Sequence, residues 1–113
     1  MPSKQRDISD GGLVVQTEET PDCWTVFLRG ELDLANAATA EEALQAALDA
    51  DTAQVVVDMR ELEFIDSTGI ALLVNALSHN GDSARLRFVP SRSPAVVRVL
   101  DLTGVAERLP LVE

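Results

Sequence analysis

Segments typical of β-strands alternate along this chain with segments typical of amphipathic helices, and this alternation restricts the possible folds more than any other feature. Short runs rich in β-branched and aromatic residues, the strand pattern, occupy residues 14–17, 23–29, 54–59 and 84–89. Apolar residues at helical spacing occupy residues 35–50, 70–77 and 94–101. The alternation predicts an α/β domain in which helices pack against a mixed β-sheet.

The segments outside this alternation are short. Residues 1–12 are polar and end in Gly-Gly, so we expect a flexible tail ahead of one domain over residues 13–113. The second helix is expected to end near Asn80-Gly81, a sequence typical of helix C-termini. Residues 106–111 are predicted to form a last short strand or helix.

The chain is strongly acidic, with 9 Lys and Arg residues against 19 Asp and Glu residues and a net charge of −10. Such a charge repels the phosphates of nucleic acids and of anionic membrane surfaces, so neither is an expected partner. No apolar run approaches the roughly 20 residues of a membrane span, and the N-terminus lacks the apolar core of a signal peptide. We therefore expect a soluble cytoplasmic protein.

Residues suited to catalysis or metal binding are few. Cys23 is the only cysteine and His79 the only histidine, so an internal disulfide and a zinc site of the usual Cys/His type are excluded. Ser67 and His79 lie roughly 18 Å apart if residues 67–79 form a helix, at about 1.5 Å per residue, and cannot share a proton. The sequence therefore indicates neither an enzyme nor a cofactor.

Acidic and amide side chains cluster just before the first predicted helix. Glu31 and Asp33 follow the strand that ends at Gly30, and acids near a helix start stabilise its positive end. Asn36 or Asp33 is also a suitable N-cap. From the local sequence alone, this structural role is the favoured interpretation.

The most informative segment is Phe64-Ile65-Asp66-Ser67-Thr68-Gly69-Ile70, at the start of the second predicted helix. Asp, Ser and Thr in succession at a helix start are typical of an N-cap. A second interpretation is that the Ser67 hydroxyl accepts a phosphate, which would meet unpaired backbone N–H groups and the positive end of the helix dipole. Asp66 would repel that phosphate at close range, which suits a switch that ejects a partner. The segment alone leaves both interpretations open.

Three blocks of the sequence together resemble the STAS-domain anti-sigma factor antagonists of bacteria. They are Leu28-Arg29-Gly30-Glu31-Leu32-Asp33, the segment at residues 64–70, and residues 93–105. The resemblance covers nearly the whole chain after the expected tail. It implies a STAS-like fold with a mixed β-sheet of about four to five strands and helices packed mainly on one side. One departure is Ala71, where many members have glycine.

The resemblance also implies a regulatory function without catalytic activity. In this family, an anti-sigma factor that is itself a serine kinase phosphorylates the serine after the motif aspartate, which is Ser67 here. The unphosphorylated antagonist binds the kinase and frees the sigma factor for transcription. Phosphorylation switches this binding off, and a serine phosphatase reverses it. No cofactor, metal or direct contact with nucleic acid is implied, and we expect a monomer or weak dimer.

The partner surface of the family carries over to two short segments of this chain. The corresponding positions are Glu31, Asp33 and Asn36 before the first helix, and Asp66, Thr68, Gly69 and Ile70 at the second. An alternative function is that of a STAS adaptor subunit in a transport or signalling complex. In that case Ser67 is only a cap and no kinase acts on it.

Overall fold

Six strands and four helices follow one another through residues 4–79 and 85–110, the part of the chain that the computed structural model describes. The strands are β1 (Lys4–Asp10), β2 (Leu13–Glu19), β3 (Cys23–Leu32), β4 (Gln54–Asp58), β5 (Leu62–Ile65) and β6 (Leu86–Val89). The helices are α1 (Ala37–Asp49), α2 (Ser67–His79), α3 (Pro94–Leu102) and α4 (Val105–Arg108). The predicted alternation is confirmed, and the last short element is a helix. The expected end of α2 at Asn80-Gly81 lies outside the described residues.

Strand β3 is the centre of the sheet. The order is β1-β2-β3-β4-β6, and β5 pairs with the end of β3, beyond its pairing with β4. The β1–β2 and β2–β3 pairs are antiparallel, whereas β3–β4, β3–β5 and β4–β6 are parallel. A parallel pair needs a long crossover, and here α1 leads from β3 to β4 while α2 leads from β5 to β6.

The hydrophobic core lies on one face of the sheet. Alternate strand residues are buried there: Leu13, Val15, Val26, Leu28, Val55, Val57, Leu86 and Phe88. Leu44 of α1, Leu73 of α2 and Leu100 of α3 belong to the same cluster. The opposite face, which we call the open face, carries Val14, Gln16, Phe27, Arg29, Val56, Asp58, Arg87 and Val89, and all of these except Asp58 are partly exposed. The expected packing of helices mainly on one side is therefore confirmed.

The prediction of a flexible tail is wrong for residues 4–12. Strand β1 pairs with β2 along its whole length, from Lys4 opposite Glu19 to Asp10 opposite Leu13, across a tight turn at Gly11-Gly12. The polar sequence concealed this strand because an edge strand is held by backbone hydrogen bonds and needs little apolar burial. Together with the short β5, it raises the strand number from the expected range of about four to five to six. Among the described residues, no helix is long and apolar enough to span a membrane.

A glycine allows β3 to exchange neighbours near its end. Gly30 has φ of 92°, and the register between β3 and β5 shifts between Gly30 and Glu31. A Cβ atom at Gly30 would lie 2.2 Å from the Gly12 carbonyl oxygen, so a larger residue does not fit. The Gly30 N–H donates to the Glu61 carbonyl and the Glu31 N–H to the Gly12 carbonyl, each at 3.0 Å. This irregularity directs the end of β3 towards β5 and the start of α2.

Candidate functional site at the start of helix α2

Ser67 is the first residue of α2 and follows closely on β5, at the carboxyl end of the parallel strands. Ile65 of β5 pairs with Leu32 of β3, and the Asp66 N–H donates to the Leu32 carbonyl at 3.1 Å. The Ser67 residue itself is exposed. The sheet therefore holds the backbone that precedes Ser67, while the side chain is accessible to another protein.

Asp66 caps helix α2. Its Oδ1 accepts a hydrogen bond from the Gly69 N–H at 3.1 Å, and its carbonyl accepts one from the Ile70 N–H at 3.0 Å. This is the N-cap that the sequence predicted, and the aspartate rather than a hydroxyl residue supplies it. The Ser67 hydroxyl is therefore not needed to start the helix.

Gly69 lies where α2 approaches the sheet most closely. A Cβ atom at this position would lie 2.7 Å from Ile65 Cγ1 and 2.9 Å from Leu32 Cγ. Real side chains do not pack so closely, so glycine is what lets the first turn of α2 rest on the ends of β3 and β5. Gly69 thus fixes the position of the helix that presents Ser67.

The loop between β3 and α1 is fixed beside the start of α2 by amide and carboxylate groups. Asn36 is 1% exposed; its Oδ1 accepts from the Asp33 N–H at 3.0 Å, and its Nδ2 donates to the Glu31 carbonyl at 2.9 Å. The Leu34 N–H donates to Asp66 Oδ2 at 3.2 Å. One carboxylate, that of Asp66, therefore connects the two segments that the sequence assigned to partner binding.

The predicted capping of α1 differs from what the structure shows. Asn36 occupies the N-cap position, but its side chain makes no cap hydrogen bond, and Asp33 Oδ1 instead accepts from the Ala35 N–H at 3.0 Å. Asn36 Nδ2 also donates to the Asp10 carbonyl at 3.4 Å, and Asp10 Oδ2 accepts from the Thr39 hydroxyl at 2.7 Å. The end of β1, which the sequence did not reveal, therefore supports the site.

The predicted partner surface is only partly accessible. Ser67 and Glu31 are exposed, Asp33, Asp66, Thr68 and Ile70 are partly exposed, and Asn36 and Gly69 are buried. For the two buried residues the structure contradicts a direct contact, because a partner cannot reach them without displacing the loop or the helix. Their contribution is to position the residues around them.

Two exposed apolar side chains flank the site: Leu34 escaped the sequence analysis, and Phe64 was named there only as part of the motif. Leu34 is 77% exposed and Phe64 is 46% exposed. Leu34 lies with Thr68 and Ala71 on the wall of a shallow depression of about 330 Å³ between α1 and α2. For Leu34, the signal available in the sequence was an apolar residue in a loop, outside any helical or strand period. Exposed apolar groups beside polar ones are typical of protein-binding surfaces.

The site presents an exposed residue with a hydroxyl group, Ser67, beside the Asp66 carboxylate. Both carboxylate oxygens of Asp66, the residue next to Ser67, accept backbone hydrogen bonds. Within residues 4–79 and 85–110, no three metal-ligating His, Cys, Asp or Glu side chains come together. The arrangement is suited to binding another protein and to modification by it.

Comparison with known proteins places this fold and site in a family. The family model of the STAS domain matches residues 14–113. The chain belongs to the STAS domain family. The match begins after β1, so the first strand lies ahead of the part that the STAS model covers.

Several proteins similar to this STAS chain have functional names. The anti-sigma-B factor antagonist of Staphylococcus epidermidis is 27% identical over 95 residues, which are 84% of this chain and 88% of that protein. The protein of the same name from Staphylococcus aureus strain NCTC 8325 is 24% identical over 95 residues, with the same coverage of both chains.

Solved structures agree with this STAS assignment. The crystal structure of an anti-sigma factor antagonist from Mycobacterium paratuberculosis has a TM-score of 0.78 and 27% identity, covering 88% of this chain and 84% of that one. The unphosphorylated form of the anti-sigma factor antagonist SpoIIAA has a TM-score of 0.66 and 21% identity, covering 87% and 85%. The second similarity is one of fold alone.

Proposed function

We propose that this STAS protein is an anti-sigma factor antagonist whose binding is switched off by phosphorylation of Ser67. The observation that carries the proposal is an exposed serine at a helix start whose cap is already supplied by Asp66. The functional names of the relatives support the antagonist part of this proposal. Its partner is an anti-sigma factor that acts as a serine kinase, and a serine phosphatase restores the unmodified form.

The geometry around Ser67 suits a phosphate acceptor. In the transfer, the Ser67 Oγ forms a bond to the γ-phosphorus of ATP, the bond to the β–γ bridging oxygen breaks, and ADP leaves. The kinase supplies Mg²⁺ and the base that takes the hydroxyl proton. The phosphate would then lie near first-turn N–H groups of α2, which a helix leaves without intrahelical acceptors. Because Asp66 keeps the cap, the modified chain retains its fold.

The switch itself is electrostatic. A phosphate adds a charge of about −1.5 to −2 at neutral pH, beside the carboxylates of Glu31, Asp33 and Asp66. A partner that binds beside these carboxylates and packs against Leu34 would have to remove water from the added charge or dissociate. Burying a charge that has no paired partner costs several kcal/mol, so release is the expected result. The chain itself performs no catalysis, contacts no nucleic acid and acts in the cytoplasm, where sigma factors meet RNA polymerase.

Phosphopeptide mapping tests the acceptor. The cognate kinase with ATP is expected to label wild type on Ser67 and to leave Ser67→Ala unlabelled. Ser78→Ala, a change at an exposed serine later in α2, serves as the matched control and should be labelled normally. A label on Thr68 or elsewhere contradicts the assignment.

Titration of the kinase tests the switch. Ser67→Asp is expected to weaken kinase binding by about tenfold or more because it places an unpaired charge in the interface, and Leu34→Ala through lost apolar contact. Ser78→Asp provides the control for added charge away from the site. Undiminished binding of Ser67→Asp contradicts the switch. Capture of an ATPase and membrane subunits in place of a kinase would instead support the adaptor function.

A further inference from the structure

Among the described residues, the helices pack on the core side of this mixed sheet, and the open face lies on the other side. Strands β3, β4 and β6 run parallel, and parallel sheets are normally covered on both faces by helices. Here the core cluster contains the residues of the opposite face, and the open-face residues Val14, Phe27, Val56 and Val89 do not belong to it. A partly exposed apolar surface on parallel strands is the kind of surface that another molecule covers.

Arginines concentrate on this face although the chain as a whole is acidic. Of the nine Lys and Arg residues, Arg29 and Arg87 lie on the open face, and Arg60 and Arg92 lie beside it. A cavity of about 190 Å³ is lined by three of them, together with Phe27, Leu28, Asp58 and Glu61. Three guanidinium groups thus face two carboxylates, in a chain whose net charge is −10.

One of the two carboxylates is already neutralised. Asp58 is 6% exposed, and its Oδ2 accepts from Arg60 Nη2 at 2.7 Å and Arg60 Nε at 3.1 Å. Arg60 donates hydrogen bonds to this carboxylate, and these bonds together with the carboxylate charge raise the pKa of the Arg60 guanidinium above its ordinary value, so Arg60 stays charged. The cavity is left with Arg29 and Arg92 against Glu61.

The remaining two arginines are available to a partner in different ways. Arg29 lies over the Phe27 ring, 5.4 Å from its centroid, and donates to Gln16 Oε1, so its guanidinium is held in place. Arg92 Nη1 lies 3.9 Å from Glu61 Oε1, with side chains 70% and 63% exposed, a geometry that contributes little binding energy. A guanidinium has five N–H donors, so both groups retain capacity for further carboxylates.

We propose that the open face around Phe27, Arg29 and Arg92 binds an acidic polypeptide segment of a partner protein. Guanidinium groups match carboxylates in bidentate geometry, and Arg and aromatic residues are the ones enriched in protein interfaces. Arg29 on β3 and Arg87 on β6 are two strands apart and offset by four residues along the strands, roughly 16 Å in all at the usual strand spacing and rise. A single phosphate or carboxylate does not span that distance, whereas an extended segment with several carboxylates does. Nucleic acid is disfavoured because its denser charge meets stronger repulsion from the acidic remainder of the chain.

This binding site is independent of the Ser67 switch. Ser67 and the depression between α1 and α2 belong to the helices, which pack on the other face of the sheet. An acidic segment on the open face would therefore leave the kinase site accessible. The proposal goes beyond the antagonist function and does not depend on it.

Fluorescence anisotropy with a labelled peptide of ten glutamates tests the site on the full chain. The measurement is made at physiological salt, where repulsion beyond about 8 Å is largely screened and close pairs persist. Wild type is expected to bind, and the double variant Arg29→Glu/Arg92→Glu to bind at least tenfold more weakly. Phe27→Ala should also weaken binding, because it removes the ring beneath Arg29. Circular dichroism confirms that each variant is folded.

Arg6→Glu is the matched control, since the register places Arg6 on the helix side of the sheet. It should change the affinity by less than twofold. Equal weakening by Arg6→Glu would mean unspecific charge attraction and would overturn the proposal. Full displacement of the peptide by millimolar inorganic phosphate, tighter binding of a single-stranded oligonucleotide, or no peptide binding to wild type would overturn it as well.

Discussion

The loop between β3 and α1 and the start of α2, together called the Ser67 edge, differ from the open face in how they use an aspartate. Asp66 directs both carboxylate oxygens at backbone N–H groups, those of Leu34 and Gly69, and so shapes a loop and a helix start. Asp58 directs both of its oxygens at Arg60 and so neutralises the guanidinium of that residue. Asp58 itself lies at the end of β4, which the sheet already holds in place. The edge thus depends for its shape on polar contacts between separate segments, whereas Asp58 on the open face bonds to a residue two positions away, to its guanidinium and, through Oδ1, to its N–H at 3.0 Å.

The largest expected effect comes from Gly30→Ala, which disturbs the point near the end of β3 where its neighbour changes from β4 to β5. Positive φ and a 2.2 Å approach to the Gly12 carbonyl both oppose a methyl group. We expect the free energy of unfolding to fall by about 3 kcal/mol or more, measured by urea denaturation. Gly11→Ala, with φ of 61° and nothing within 4 Å, should cost only about 1 kcal/mol. Equal losses would contradict the steric explanation.

Asn36→Ala tests whether polar contacts shape the edge. The change removes one acceptor and two donors from a buried position and leaves the Asp33 N–H and the Glu31 carbonyl without this partner. A loss of about 2–3 kcal/mol is expected in urea denaturation. Thr39→Val, which removes only the hydrogen bond to Asp10, should lose about 1 kcal/mol. If Asn36→Ala is no worse than Thr39→Val, the loop is held by other forces.

Asp66→Ala and Ser67→Ala together test which of the two residues supplies the N-cap of α2. Asp66→Ala removes hydrogen bonds to Gly69 and Leu34, and the expected loss of stability is about 1–2 kcal/mol. Ser67→Ala should leave the thermal midpoint almost unchanged, because the serine does not supply the cap. A comparable loss in Ser67→Ala would show that the hydroxyl has a structural role after all.

Arg92→Ala should have the smallest effect on stability. Its only ion contact among the described residues is the exposed one with Glu61, and such pairs contribute about 0.5 kcal/mol or less. The urea midpoint is expected to stay close to that of wild type. A clearly larger loss would mean that the open face needs its arginines for folding, and the contrast with the Ser67 edge would then fail.

Periodic features of the sequence predicted the fold well. The strand patterns became β2, β3, β4 and β6, and the helical stripes became α1, α2 and α3, because burial on one face imposes a period on the sequence. Strand β1 has no such period, since its residues from Gln5 to Ser9 are all exposed and the strand pairs with β2 through its backbone along its whole length. The sequence therefore showed where the core lies and missed the edge strand.

The sequence predicted which residues form the site better than it predicted which of them are buried or exposed. The motif around Ser67 identified the helix start and its cap because capping is a local interaction. The burial of Asn36 and Gly69 was not predictable in this way, because it depends on Asp10 and Leu32, which come from other strands. The exposure of Leu34 follows from the path of the same loop and was missed for the same reason.

The pairing of Leu32 with Ile65 has a consequence for the order of events in folding. The β1–β2 and β2–β3 hairpins form between neighbouring segments, but β5 must find β3 across the whole of α1 and β4. Contacts between residues so distant in sequence form late, because a long loop must close first. We therefore expect Ser67 to reach its final orientation after the two hairpins have formed. Under the proposed function, a kinase that recognises this orientation would ignore newly synthesised, unfinished chains and phosphorylate only molecules that have already folded.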